Sequence, residues 1–510
     1  MSRRLRVAVV GAGVGGLAAA ARLAHAGFEV QVFEKHDRPG GRCGQLRLDG
    51  FTFDVGPTIL LMPEVVARTF EAVGRRLSDY LTLERCHPNY RIHYRDGSTL
   101  TLGSDLAELS ADLERLSPGS TPGFLRFLKI SGRMYRTSLD RFVLRNFDHA
   151  GQFLSPGNLR HILGLKAHRS LASVVRRQLS DERLQAAVTF QTMYLGMSPY
   201  QAPAMYGLLP FSEMGVGIYF PRGGLHSLPV ALARLATEMG AVIHYRAEVR
   251  RILSTPTAVQ GLELADGTRI EADLVLCNVD LPWAYRNLLD PRHTGLRRAK
   301  RLRYTSSGYL LYLGLGRSVA GLGHHNVFFG HGYRASFDDI FRHHRVPEDP
   351  SFYVAVPNRT DPSMAPPGKD SVYVLVPVPH RHPSLDWGVE GPRVRARVLA
   401  RLAEEGFPVE QRIEVERVFT PDDWESTFGL ENGSAFGLSM HLGQVGPFRP
   451  ANQDRRLKNL FFVGASTQPG TGLPTVMVSA ELAVERMHAH ARALGVELAA
   501  AAARPEAEAA

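Results

Sequence analysis

The chain has 510 residues, enough for two or three domains, and its 44% hydrophobic and 22% charged residues are the balance of a globular protein. No run of 18 consecutive apolar residues occurs, which excludes a spanning helix. Three scattered cysteines, Cys43, Cys86 and Cys277, exclude a disulfide framework. A net charge of +10 comes with no zinc-finger, RNP or helix-turn-helix pattern, so no nucleic-acid partner is expected; anionic lipid, or composition alone, accounts for the excess. The histidine clusters His324-His325, His343-His344 and His380/His382 have no helix-spaced carboxylate or cysteine partner. They read as surface or supporting residues, and no metal is expected.

The first 35 residues pose a choice. Arg3, Arg4 and Arg6, an apolar middle and Ala24-His25-Ala26 together outline a secretory signal. The glycines favour a nucleotide site instead. Arg6 to Val10 is a short β-branched run, the pattern of a buried parallel strand. It leads into Gly11-Ala12-Gly13-Val14-Gly15-Gly16, a G-x-G-x-x-G fingerprint, then a helix over Leu17 to Ala26 with Gly27 at its C-cap. A second strand, Val30 to Phe33, ends on Glu34. In such a unit Gly11 permits the tight turn, Gly13 lets a diphosphate approach and Gly16 lets helix and strand pack closely. Glu34 is placed to accept from both ribose hydroxyls. No signal peptide is therefore expected.

Further along, Pro221-Arg222-Gly223-Gly224 reads as a glycine turn before a helix over Leu225 to Met239 and a strand over Val242 to Tyr245. Val249 to Ile252 and Val259 to Leu264 alternate about a turn at Asp266-Gly267, and Leu274 to Cys277 reads as a buried strand. Leu460 to Gly464 is another, followed by a helix from about Thr475 to Leu494. The expected fold is α/β: a discontinuous Rossmann-type domain from residues 1–75, 215–285 and 445–496, interleaved with an α+β substrate domain and a helical membrane-associating region from 76–214 and 286–444. Residues 497–510, rich in alanine and glutamate, read as a flexible tail.

These blocks resemble the flavin-dependent carotenoid desaturases of the bacterial and fungal phytoene desaturase type, within the amine oxidase-like flavoproteins. Arg38-Pro39-Gly40-Gly41-Arg42 is similar to their second flavin signature. Phe51 to Thr58, Tyr219 to Gly224, Ser351 to Val354, Asp361 to Ser363, Val376 to Val378 and Phe462 to Pro474 resemble later blocks, so the likeness covers nearly the whole chain. One departure is Gln468, where the family carries a histidine, which bears on chain-length or end-group preference.

The fingerprint alone leaves NAD and FAD open; the resemblance implies FAD. It implies cofactor contacts at Gly11, Gly13, Gly16, Glu34, Lys35, Gly41, Arg42, Gly56, Pro57, Thr58, Val249, Gly464, Thr475 and Val476. It also implies desaturation of a C40 polyene precursor, phytoene towards lycopene or a related polyene. Alternatives are desaturation of a later carotenoid, cis–trans isomerisation, or a non-catalytic flavin-binding role. A second nucleotide fingerprint is missing from the sequence, so electrons are expected to leave to a quinone or oxygen. The polyene stabilises developing charge, so no catalytic acid or base is assigned; Asp54, Tyr219, Arg222 and His226 are candidates near the flavin, each more readily structural. The segment from Asn158 to Arg177 interleaves apolar and basic residues. It suits either an interfacial helix on anionic lipid or a core helix with a solvated basic face. The expected location is cytoplasmic, peripheral on the inner face of the cell membrane.

Overall fold

Five short parallel strands, β1 (Arg6–Val10), β2 (Glu29–Phe33), β3 (Val242–His244), β4 (Leu274–Cys277) and β5 (Leu460–Phe462), form one sheet in the order β5-β4-β1-β2-β3. The computed structural model describes residues 4–147, 149–293 and 295–496, so the stretch 497–510 lies outside the described residues. Continuous Val-rich runs suit a parallel sheet covered on both faces. Val7 and Val9 of β1 join a core built with three helices, α1 (Val14–His25), α2 (Ser227–Glu238) and α3 (Leu473–Ala493). Ala8 and Val10 join the opposite core, where Ile252 and Leu262 belong to a three-stranded antiparallel sheet of Val249–Ser254, Val259–Leu264 and Arg269–Glu271. The period of two along β1 thus separates the two faces. Helix α1 begins at Val14 rather than Leu17. Gly15 and Gly16 lie in its first turn, where their low helix propensity hid the start.

A second, seven-stranded sheet carries the rest of the core. Its order is Ile413–Phe419, Ser307–Leu315, Asp370–Val378, Phe352–Ala355, His325–Phe328, Tyr90–His93 and Thr99–Leu102. Every residue of Ser307–Leu315 is buried, because helix Trp387–Glu404 covers one face and Phe51, Phe53 and Trp424 pack on the other. The pairing of His325–Phe328 with Tyr90–His93 is parallel; the other pairings are antiparallel. The fold is therefore α/β, a Rossmann-type unit interleaved with an α+β body.

Two expectations need correction. The segment from Asn158 to Arg177 is not one helix. Pro156–Gly164 is helical, the chain turns at Lys166 with φ +51°, and a short helix resumes at Leu171–Val175. Leu159 and Leu163 are 45% and 58% exposed, whereas Leu171, Ala172, Val174 and Val175 are buried. The first half is a surface helix and the second half is core, so its valines cannot enter a bilayer. The pair His324-His325 is also buried rather than superficial. With Cys86 it forms a group whose ligand atoms all lie within 4.8 Å of one another.

Candidate active site

The fingerprint folds into a cradle at the carboxyl end of β1. Gly11 takes φ +94°, a conformation that side chains resist. A Cβ at Gly16 would lie 2.3 Å from the Gly11 carbonyl oxygen, so this glycine sets the close approach of α1 to β1. Gly13 is the N-cap of α1 and offers no side chain, which leaves the first amides of the helix to the cavity. The Glu34 carboxylate is buried. It accepts from the Ala12 N–H at 2.8 Å and the His36 N–H at 3.0 Å, tying the fingerprint loop to the end of β2.

The second glycine loop is stitched to the first. The Gly40 N–H donates to the Ala12 carbonyl at 2.9 Å. Arg42 donates to the Ala435 carbonyl at 3.1 Å. Burial lowers the pKa of its guanidinium, and the nearby Asp280 carboxylate opposes that shift. Asp280 accepts from Ser466, and burial raises its pKa against the pull of Ser466 and Arg42. The block Gly56-Pro57-Thr58 is held by tyrosines of the large sheet. Tyr373 donates to the Gly56 carbonyl at 3.0 Å, and the hydroxyls of Tyr353 and Thr58 lie 2.9 Å apart. Helix α3 starts after Gly472 without a side-chain cap. The Thr475 hydroxyl donates back to the Thr471 carbonyl at 2.5 Å. Lys35 donates to the Thr427 carbonyl at 2.7 Å.

One cavity of about 770 Å³ joins this cradle to the interior of the large sheet and the helical region. Gly11, Gly13, Glu34, Lys35, Gly41, Arg42, Gly56, Pro57, Thr58, Val249, Gly464, Thr475 and Val476 all line it. Gly16 stands behind the wall, in the helix–strand contact. Beyond the cradle the lining turns apolar, through Phe190, Met193, Leu208, Phe329, Phe337 and Met440, to Phe153, Leu154, Leu442 and Phe448. Leu154, Leu442 and Phe448 are both exposed and on the wall, which marks the mouth. Gln468 also lines the cavity and donates to the Gly446 carbonyl at 2.9 Å.

None of the four acid–base candidates is on the wall. Asp54 accepts from the Leu225 and His226 N–H groups at 2.8 and 3.1 Å, bracing the turn before α2, and burial raises its pKa to about 7. His226 bonds the Pro39 carbonyl at 2.9 Å, Tyr219 donates to the Val216 carbonyl at 3.3 Å, and Arg222 pairs with Glu84 on the surface. Sequence reasoning missed Asn278, whose amide fills the space that a Cβ at Gly13 or Gly15 would need. It also missed Asp280, Tyr194 and Tyr353. Asn278 and Asp280 follow directly on β4, a position where side chains reach a Rossmann crevice; the tyrosines carry no local signal. Cys43 lines the cavity too, its thiol donating to the Leu225 carbonyl at 3.3 Å, and burial pushes its pKa well up.

Two glycine loops are stitched over one crevice, and helix α3 starts at its wall without a side-chain cap. The family model described as flavin containing amine oxidoreductase matches residues 14–488. The chain belongs to that family. Within it, this flavin-dependent oxidoreductase falls among the carotenoid desaturases. It is 61% identical over 495 residues to the zeta-carotene-forming phytoene desaturase of Myxococcus xanthus, covering 97% of this chain and 96% of that one. It is 39% identical to the phytoene desaturase of Phycomyces blakesleeanus over 95% of this chain and 85% of that one. A 4,4'-diapophytoene desaturase of Staphylococcus haemolyticus is 36% identical, over 95% and 98%. The resemblance read from the motifs is thus borne out. Among solved structures, an oxidoreductase from Methanosarcina mazei has a TM-score of 0.65 at 20% identity, covering 94% of this chain and all of that one. A putrescine oxidase variant has a TM-score of 0.63 at 16%, covering 96% and 100%. At those identities the likeness is one of fold.

Proposed function

We propose that this protein is an FAD-dependent desaturase of a linear C40 carotenoid precursor, and that phytoene is the substrate, with zeta-carotene the product favoured by the 61% identical relative. One observation carries this reading: a single apolar cavity runs from the dinucleotide cradle to an exposed apolar mouth. A hydrocarbon has no polar handle, so affinity comes from burial, about 0.8 kcal/mol per CH₂. A small cationic amine would need a polar, aromatic-caged site, whereas the wall beyond the cradle is largely apolar.

The cradle fits FAD. The amides at Gly13 and the start of α1 would hold the diphosphate. Each Glu34 oxygen keeps a second lone pair for a ribose hydroxyl. Val249 would present its backbone to adenine, and Gly464 would approach the ribityl chain. Gly41, Arg42 and the block from Gly56 to Thr58 would flank the ring. The start of α3, at Thr475 and Val476, would stabilise charge at the pyrimidine carbonyl. Lys35 would add positive charge beside the adenosine. Bound there, the flavin supplies a two-electron sink. A quinone or oxygen is the acceptor we assign for those electrons. The Cys43 thiol is engaged with the Leu225 carbonyl, and the flavin is expected to be held non-covalently; acid precipitation is expected to release it to the supernatant.

We infer that substrate leaves a bilayer through this mouth. No helix among the described residues is long and apolar enough to cross a membrane. Leu154, Leu442 and Phe448 are exposed at the mouth, and Leu159 and Leu163 are exposed on the helix Pro156–Gly164, whose Ile162 lines the cavity. With Arg160 and Lys166 on the same segment, they form a face for peripheral association with anionic lipid at the cytoplasmic surface. The deciding experiment is anaerobic incubation of the flavin-loaded protein with phytoene in liposomes. Bleaching of one flavin per double bond introduced, hence two per zeta-carotene, is expected; unchanged flavin and unchanged chromophore length would reject the reading.

A further inference from the structure

Behind the cavity wall, outside the cradle, lies a buried acid. Glu213 is 1% exposed. One carboxylate oxygen accepts from the Tyr90 hydroxyl at 2.9 Å and the other from the Gln191 amide at 3.0 Å. Tyr90 is itself 1% exposed, and its hydroxyl oxygen lies 2.5 Å from that of Tyr194. Either tyrosine could donate in that contact; when Glu213 is ionised, the single Tyr90 proton goes to the carboxylate and Tyr194 donates to Tyr90. Tyr194 lines the cavity; Tyr90 and Glu213 do not. Phe190 packs edge-on against both tyrosine rings, with centroids 5.2 and 6.0 Å away, and fixes their geometry. The result is a directed chain of hydroxyls from an apolar cavity to one carboxylate.

We propose that Glu213 is the terminal proton acceptor of the desaturation, reached from the cavity through the Tyr194 and Tyr90 hydroxyls. This rests on the desaturase reading. In the step, one saturated carbon loses its hydrogen as a proton to the Tyr194 oxygen. The Tyr194 proton passes to Tyr90, and the Tyr90 proton passes to the Glu213 carboxylate. The electron pair of the broken C–H bond becomes the new C=C bond, while the adjacent carbon gives up its hydrogen with two electrons to the bound flavin oxidant. Both phenols end as they began and Glu213 ends protonated. A neutral phenol at the wall keeps charge away from the hydrocarbon, which a carboxylate at the same place would not.

The groups around Glu213 leave it alone in the neutral range. Burial raises its pKa to about 8. Tyr90, Tyr194 and Tyr353 are pushed well above the usual phenol range. His325, which accepts or donates at 2.6 Å to the Tyr353 hydroxyl, and its neighbour His324 are held neutral by burial, His324 down at about 3. Cys86 is pushed up to about 12. Of these facing groups, only Glu213 changes charge between about pH 5 and pH 10.

The test is a pH–rate profile of the flavin-loaded protein on phytoene liposomes, with Glu213→Gln and Tyr194→Phe. The parent rate is expected to rise about tenfold from pH 7 to pH 9, as the carboxylate form fills in. Both variants are expected to fall on the order of 10²-fold and to lose that rise. Phe at 194 keeps the ring against Phe190, and matching flavin content and melting temperature confirm its fold. Infrared difference spectra supply a readout independent of turnover: a protonated-carboxyl band lost near pH 8 in the parent and missing from Glu213→Gln, with the Asp54 band left in place. A Glu213→Gln protein that keeps the parent's rate and profile, or a parent without that band, overturns the relay and leaves the desaturase reading standing. A parent that converts no carotenoid overturns both.

Discussion

The two ends of the cavity are built on different principles. At the cradle end, function depends on the backbone: amides that must be bare, a turn at positive φ, a helix that must touch a strand. Such demands fall on glycines at fixed spacings, so they are written in a short stretch of chain. At the hydrocarbon end, function depends on volume and the absence of polar groups. Phe190, Met193, Phe329, Phe337 and Met440 satisfy it from positions up to 250 residues apart, and any of several apolar side chains could serve at each. The first end tolerates almost no change; the second tolerates change of shape but not of polarity.

The largest expected effect probes the cradle end. Gly16→Ala puts a methyl 2.3 Å from a backbone oxygen that cannot rotate away. It is expected to cost about 3 kcal/mol of stability and to abolish flavin retention, measured by thermal unfolding and flavin content. A cavity-lining change such as Met193→Leu, by comparison, is expected to cost under about 1.5 kcal/mol and to keep the flavin. Equal losses in the two variants would erase the contrast.

Asp54 sharpens it from beside the cradle. Its folded pKa of about 7 lies above the model-peptide value. A raised folded pKa stabilises most below the unfolded pKa and is lost as pH rises through the folded one. Stability is therefore expected to fall by about 2–3 kcal/mol between pH 5 and pH 8 in the parent. Asp54→Asn is expected to flatten that decline, read by chemical denaturation at several pH values. A parent with no decline would show that the two N–H donors hold the carboxylate charged.

Glu34→Ala removes the acceptor for two backbone amides and, in the proposed FAD pose, for the ribose. FAD affinity is expected to weaken by roughly 1.5–3 kcal/mol, on the order of tenfold to a hundredfold, in a titration of the apoprotein. Unchanged affinity would remove the adenosine end from β2. The smallest effect on stability belongs to the mouth. Leu159→Gln with Leu163→Gln is expected to leave stability within about 0.5 kcal/mol of the parent while weakening co-sedimentation with anionic vesicles. Val174→Gln, a dozen residues on, is expected to destabilise by several times as much through a buried polar group. If vesicle binding survives the leucine pair, the lipid-facing surface lies elsewhere.

By itself, the sequence determined the β-α-β unit, its glycine turns and Glu34, and through the set of blocks the family. Those features are local: each needs a particular residue type at a particular spacing along the chain. Helix ends and strands of the nucleotide unit were legible to within a few residues for the same reason. Only the tertiary structure decided the rest. It placed Asp54, Tyr219, Arg222 and His226 off the cavity wall and split the stretch from Asn158 to Arg177 into an exposed helix and a core helix. It buried His324-His325, and it brought Asn278 and Asp280 against loops more than 200 residues away in sequence. Periodicity records that a face is apolar but not what covers it. A hydroxyl relay through Tyr194, Tyr90 and Glu213 leaves no spacing to read, because its members meet across strands and turns whose distance in the chain has no bearing on their distance in space.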